Sequence, residues 1–346
     1  MFGKMMNNYY YGKSGKGDFR KEDLPTTRMQ LFWDTLRTRL SSLCRLNLLY
    51  MLIFLPTIIV MMLFYTQFLS MTTEQLTIQE VDYQTYTEQL KENGFESTLT
   101  EEEFNQRKSM EDWFNVMLDT VLYRMLIWLI PCLAITGPFT AGLSYVTRNW
   151  ARDEHAFIWT DFKDAIKANW RQSLVLSVIT SVLPFLVFLG WKYYGQMAQR
   201  STFMIIPQVM VVLVAIIWAL SITYMHPMVV TYELKLKDVI RNGLLLGVAR
   251  LPMSVAIRLL LCMPGVICGL LCYFWNPWYG MLILLAWYVL IGFGLSRFIT
   301  ASYTNAVFDR FINTRIEGAK VDQGLRKPDE DEEDGEEATD EGDATD

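Results

Sequence analysis

The sequence predicts an all-α, polytopic membrane protein of six transmembrane helices in three hairpins, each hairpin preceded by a short cytoplasmic interfacial helix. Three observations predict it. The hydrophobic residues, 52% of 346, are gathered into long uncharged blocks. The basic residues alternate between the segments that separate those blocks. A short amphipathic pattern recurs ahead of each pair of spans. A bilayer core requires about 20 apolar residues per helix.

The first block is Leu46 to Leu69, 24 residues without a charge. Met125 to Val146, Ser173 to Trp191 and Ser201 to Tyr232 follow, the last with His226 as its one ionisable residue. Leu259 to Ser296 is 38 uncharged residues, interrupted by Asn276-Pro277-Trp278. A proline turn inside such a block reads as a tight connection between two helices, so five blocks give six spans. The first block begins too late, and runs too long, for a cleaved signal peptide.

Orientation follows from Lys and Arg near helix ends. Residues 1–45, 147–172, 233–258 and 297–327 together hold 25 of them, and the alternate segments hold 6. Both termini are therefore expected in the cytoplasm. Arg258 and Arg297 fall at cytoplasmic helix ends, where long side chains reach the headgroups.

Three regions frame the chain: a basic arm over 1–28, a membrane domain over 29–316 and an acidic, disordered tail over 317–346. Gly12-Lys13-Ser14-Gly15-Lys16 is not a phosphate loop, because Asn7 stands where its first glycine belongs and no strand precedes it. The outer loop, 71–112, carries eleven acidic and three basic residues. Thr100 and Glu103 form a capping-box pattern, which starts a helix at Glu101. The loop reads as a solvated insertion, with a cover over an outer opening as the alternative. Residues 328–346 hold twelve Asp or Glu and no aromatic residue, the composition of a disordered segment.

The repeat reads Phe32-x-Asp34-x-Leu36-Arg37, then Phe162-x-Asp164-x-Ile166-Lys167, then Leu236-x-Asp238-x-Ile240-Arg241. Leu40, Trp170 and Leu244 continue the apolar positions. Apolar residues at i, i+4 and i+8 share a helical face, the pattern of a helix lying in the interface. Chance likeness among amphipathic helices is the plainer alternative.

The segment Thr136-Gly137-Pro138-Phe139-Thr140-Ala141-Gly142, continuing through Arg148 and Trp150 to Phe157-Ile158-Trp159-Thr160-Asp161-Phe162, resembles the signature of the YesL-like family of bacterial integral membrane proteins, a domain-of-unknown-function family. The resemblance is strong over 28–172 and looser to about 316. It implies a bacterial plasma-membrane protein of the kind associated with carbohydrate uptake and breakdown. It brings no catalytic residues, so Gly137, Pro138, Thr140, Arg148, Trp159, Asp161 and Phe162 stand only as candidate binding positions. On physical grounds Pro138 should kink the second span or mark its inner end, and Gly137 and Gly142 should allow close helix approach.

No catalytic constellation is present. The two histidines, His155 and His226, are far apart in sequence, and no zinc, hydrolase or redox motif occurs. The five cysteines lie in or beside spans and read as packing residues. No cofactor, metal or nucleic-acid partner is expected; the bilayer and, through the resemblance, sugar-transporter subunits are. The leading expectation is an accessory or regulatory component of carbohydrate uptake, not an enzyme. The alternatives are a facilitator for a small neutral solute and a lipid-interface enzyme using Asp161 or Asp164 with Arg148. Gly243-x-x-x-Gly247 and Gly265-x-x-x-Gly269 allow close helix contacts, internal or between subunits.

Overall fold

A computed structural model of the chain describes residues 25–109 and 112–326. Among them are ten α-helices and no strand. In chain order they are α1 (Arg28–Glu80), α2 (Tyr83–Glu92), α3 (Glu101–Ser109), α4 (Trp113–Trp150), α5 (Thr160–Ala198), α6 (Ile205–Thr231), α7 (Leu236–Ala249), α8 (Leu251–Phe274), α9 (Pro277–Trp287) and α10 (Phe293–Phe311). A π-helical turn, Tyr288–Gly292, joins α9 to α10 into one span. Six of these segments are long and apolar enough to cross a membrane. Only 6% of the most apolar window of α8 is buried inside the protein, and 39% of that of α4. So much bare aliphatic surface suits a hydrocarbon solvent, in which the helix satisfies its own amides.

Local chemistry sets the helix ends. At the start of α1, Thr27 N–H donates to Gln30 Oε1 and Gln30 N–H to Thr27 Oγ1, each at 3.3 Å, a reciprocal capping box. Thr100 and Glu103 close the same box on α3, which begins at Glu101 as its sequence predicts. The Asp82 carboxylate caps α2 by accepting from Thr85 N–H. Asn276 Oδ1 accepts from Trp278 N–H with Pro277 in the first turn of α9, and so makes the turn that divides the longest apolar block.

The repeat segments differ in one respect from the expected short helices. The first two run without a break into their spans, as α1 and α5, whereas the third is a helix of its own, α7. Pro252 stands in the first turn of α8, a position where proline gives up no internal hydrogen bond, and Leu48 and Val178 stand at the matching places in the other two. The three segments do share a buried position, the residue after the repeat aspartate: Thr35, Ala165 and Val239. The buried face is thus turned from the stripe expected in the sequence, and Leu40 and Trp170 are exposed.

The chain divides into two compact units. Of the described residues, the first comprises 25–52, 138–173 and 217–326, the second 53–109, 112–137 and 174–216. In the first unit the fully buried side chains include Leu43, Leu46, Leu143, Trp150, Tyr224, Met228, Phe298 and Phe308. Here α7 lies so close to α6 that a Cβ on Gly247 would meet Ser221 Oγ at 2.5 Å, and one on Gly243 would meet Met225 Cγ at 2.5 Å. In the second unit the outer loop has a core of its own, Ile78, Tyr86, Leu99 and Phe104. The loop expected as a solvated insertion is therefore a small packed element, tied to the end of α1 by an Arg107–Glu74 ion pair of 2.9 Å. Spans within this unit are joined by Asp119–Lys192, 2.6 Å apart, and by Gly190 against Val211.

Candidate functional site

The signature residues are brought together chiefly as a helix–helix joint in the first unit. Gly142 on α4 faces Phe162 on α5, and a Cβ there would stand 2.8 Å from both Phe162 Cδ2 and the Phe162 carbonyl oxygen. Phe162 is buried. The glycine and the phenylalanine of the signature thus require each other. Thr140, two residues before Gly142 on α4, shares a hydrogen bond of 2.7 Å with the Tyr50 hydroxyl on α1. Pro138 does not end the helix, which continues to Trp150; the division between the two units falls between Gly137 and Pro138.

The connection after α4 is tightly closed. Glu154 N–H donates to the Asn149 carbonyl at 2.9 Å, and Asp153 takes φ 57°, the left-handed conformation that ends helices. The Trp150 indole donates to the Ala156 carbonyl. Asp161 accepts from Phe157 N–H at 2.8 Å, so its carboxylate organises the entry to α5. Arg148 donates to Asn149 Oδ1, and its carbonyl accepts from Asn305 on α10. Trp159 is exposed. Arg148, Trp159 and Asp161 therefore do not converge on one centre.

The repeat residues stay apart from this joint. Asp164 and Lys167 form an exposed pair at 3.8 Å, one turn apart on α5. Arg37 and Arg241 are exposed, and Asp34 and Asp238 are half-buried. Their common role is to border the buried positions Thr35, Ala165 and Val239.

A polar interior that the sequence reading did not select lies in the same unit. Asn47 on α1 sets its amide against the π-helical turn: Nδ2 donates to the Tyr288 and Val289 carbonyls at 2.9 and 2.7 Å, and Oδ1 accepts from Gly294 N–H at 2.9 Å. A π turn interrupts the regular i→i−4 pairing of the helix; one buried amide supplies partners on both sides of the interruption. Close approach of α1 needs Gly294, where a Cβ would stand 3.1 Å from the Leu43 carbonyl. On the other side, the Tyr224 hydroxyl bonds to Ser254 at 2.6 Å and to Tyr303 at 2.8 Å, linking α6, α8 and α10. All of these groups are neutral, so charge patterning does not mark them; the isolated Asn47 in an otherwise apolar run is the one signal the sequence offers.

The end of this unit that carries both described chain ends is closed by ionic and amide contacts. Arg28 pairs with Asp309 at 2.7 Å and also with Asp322. Asp309 accepts from Asn313 Nδ2, and Asn313 Oδ1 accepts from the Tyr232 hydroxyl at 2.7 Å. Burial pushes the Tyr232 phenol up to about 12. Arg152 donates to Gln323 at 2.8 Å, and Arg326 N–H to the Pro25 carbonyl at 3.1 Å. Residues 317–326, expected to open the disordered tail, are therefore held to the protein. The rest of that tail and the basic arm before Pro25 lie outside the described residues. No group of three or more His, Cys, Asp or Glu is placed to hold a metal among the described residues.

Residues 121–191 match the model of the family described as "Protein of unknown function, DUF624", the family that the signature resembles. The matched stretch covers most of α4 and α5 and contains the Gly142–Phe162 joint. No curated protein and no solved structure matches the chain.

Proposed function

We propose that this multi-pass membrane protein, whose α4–α5 region carries the DUF624 match, resides in a bacterial plasma membrane with both termini in the cytoplasm and serves as a non-enzymatic accessory or regulatory component of carbohydrate uptake. The observation that carries the reading is the way its polar groups are engaged. Asp161 is bonded to a backbone amide, Asp164 to Lys167 and Arg148 to Asn149. The buried side chains of Asn47, Tyr50, Thr140, Tyr224 and Ser254 join span to span instead of converging on a substrate. Such an interior suits a scaffold. The meeting of Pro25 and Arg326 supports an even number of spans, and the excess of Lys and Arg in the same segments supports a cytoplasmic side for both ends. The carbohydrate assignment rests on the family resemblance.

The test is purification of the tagged chain from its native membrane in a mild non-ionic detergent, with identification of what accompanies it. Sugar-transport subunits should be recovered in near-constant ratio to the chain. Isolation of the chain alone, from membranes in which those transporters are expressed, would contradict the proposal.

A further inference from the structure

Two arginines and a histidine inside the first unit have no acidic partner. Arg258 on α8 turns toward α6, where its guanidinium donates to the Ala219 carbonyl and to Thr223 Oγ1, the latter at 2.6 Å. Its Nε is buried and bonds to nothing. Arg297 on α10 lies within electrostatic reach of both Arg258 and His226. It makes no hydrogen bond or ion pair with any described residue. His226 on α6 is 4% exposed, and its Nδ1 is buried without a partner.

A guanidinium cannot discharge itself by losing a proton. Two of them held close in a medium of low dielectric repel strongly, and a buried charge without a partner is costly. The two charges come from α8 and α10, and no acidic side chain of the described residues is paired with either. Depth matters too. Arg258 lies 16 residues before the end of α8, and Arg297 lies 20 residues after the start of α9. At 1.5 Å per residue these are about 24 and 30 Å from the Asn276 turn, roughly one hydrocarbon thickness. Both guanidiniums therefore stand at the opposite boundary of the bilayer, where lipid phosphates and dissolved anions both reach.

We propose that Arg258, Arg297, Thr223 and His226 form a binding site for an oxyanion of the phosphate type. The two guanidinium forks offer paired N–H donors that match phosphate oxygens, Thr223 adds a hydroxyl, and His226 offers the unused Nδ1. The phosphate belongs either to an inner-leaflet lipid headgroup or to a dissolved phosphate compound. The site does not depend on the carbohydrate reading.

The test uses the full chain. In a neutral detergent, thermal unfolding is followed with inorganic phosphate, against chloride at equal ionic strength. In a second arm, native mass spectrometry follows lipid retained from nanodiscs of phosphatidylcholine alone or mixed with phosphatidylglycerol. A saturable rise of the midpoint with phosphate identifies a dissolved anion. Selective retention of phosphatidylglycerol without a phosphate effect identifies the lipid. In either arm Arg258→Gln and Arg297→Gln should each weaken binding by about tenfold or more, the loss of a charge-assisted bond. Arg297→Lys, which keeps the charge and loses the fork, should weaken it by a smaller factor, and it serves if the glutamine variants do not fold. Wild-type protein that binds neither phosphate nor phosphatidylglycerol would overturn the proposal. So would variants that bind as tightly as wild type.

Discussion

The first unit and the loop of the second are held together by different physics. In the first, buried positions are occupied by Asn47, Thr140, Ser221, Tyr224, Ser254, Thr304 and Asn305 as often as by aliphatic residues, and helices approach at Gly142, Gly243, Gly247 and Gly294. In the second, the best-buried cluster is an ordinary apolar core, Ile78, Tyr86, Leu99 and Phe104, in a loop with eleven acidic residues. Hydrocarbon solvates leucine as well as a protein interior does, so spans gain little by burying apolar surface. They associate through close contact of small residues and through hydrogen bonds. The loop, made for water, is gathered by the hydrophobic effect. One chain thus follows two rules in segments adjacent in sequence.

Substitutions that exchange the rules should do the most damage. Gly142→Leu places a branched side chain against the Phe162 carbonyl, where backbone must move. It should abolish recovery of monodisperse protein in detergent, while Gly94→Leu, in open space in the outer loop, leaves a soluble if locally strained protein. Equal recovery of the two would erase the distinction.

Asn47→Leu keeps the branched outline of the side chain and deletes three bonds to backbone. It leaves the Tyr288 and Val289 carbonyls and the Gly294 amide without that partner, and each buried orphan costs about 1–3 kcal/mol. A large loss of thermal stability in detergent is expected, with Asn47→Asp, which lacks the donors, nearly as harmful. Unchanged stability in both would show that the π turn needs no support from α1.

A smaller effect belongs to the loop. Thr100→Ala removes the N-cap oxygen of α3 at about 1 kcal/mol, and proteolysis should become faster in 100–109 without release of the spans. The backbone bond from Thr100 also holds the Glu103 carboxyl below its usual range, and the Thr85 hydroxyl and amide do the same for Asp82. Lowered values in the folded state mean stabilisation that is present above the ordinary carboxylate pKa, about 4, and is lost as pH falls through the folded values. Acid should therefore loosen the loop in hydrogen exchange before it loosens the spans. Simultaneous loosening would contradict this order.

The smallest change expected is at Gly265 and Gly269. They repeat the spacing of Gly243 and Gly247, yet nothing lies within 4 Å of a Cβ on either. Alanine at both should leave the yield of folded chain unaltered, whereas Gly247→Ala should lower it. A loss at Gly265 would mean that the open face of α8 is packed in the membrane.

The spans were legible because an uncharged run such as Leu46–Leu69 has one physical solution in oil. The Thr100–Glu103 cap was legible because it is local. The repeat was visible in Asp34, Asp164 and Asp238, but its buried face was misplaced, since orientation depends on neighbours that sequence spacing does not name. The candidate positions Arg148, Trp159 and Asp161 proved locally engaged or exposed. The polar interior around Asn47 and Tyr224 was hidden because each pair is joined across tens or hundreds of residues, and none of its members carries charge. The sequence places Arg258 at a helix end, and the bond it makes to Thr223 on α6 depends on a neighbour 35 residues away.

Sidedness is the claim on which the architecture stands, and one labelling experiment addresses it. In a background without the five native cysteines, Glu92→Cys in the outer loop and Glu317→Cys beyond the last span are exposed to a membrane-impermeant maleimide. In intact cells the first should react and the second should not, with the second reacting once the membrane is opened. Protection of position 92, or reaction of position 317 before lysis, would contradict a six-span protein with both ends in the cytoplasm.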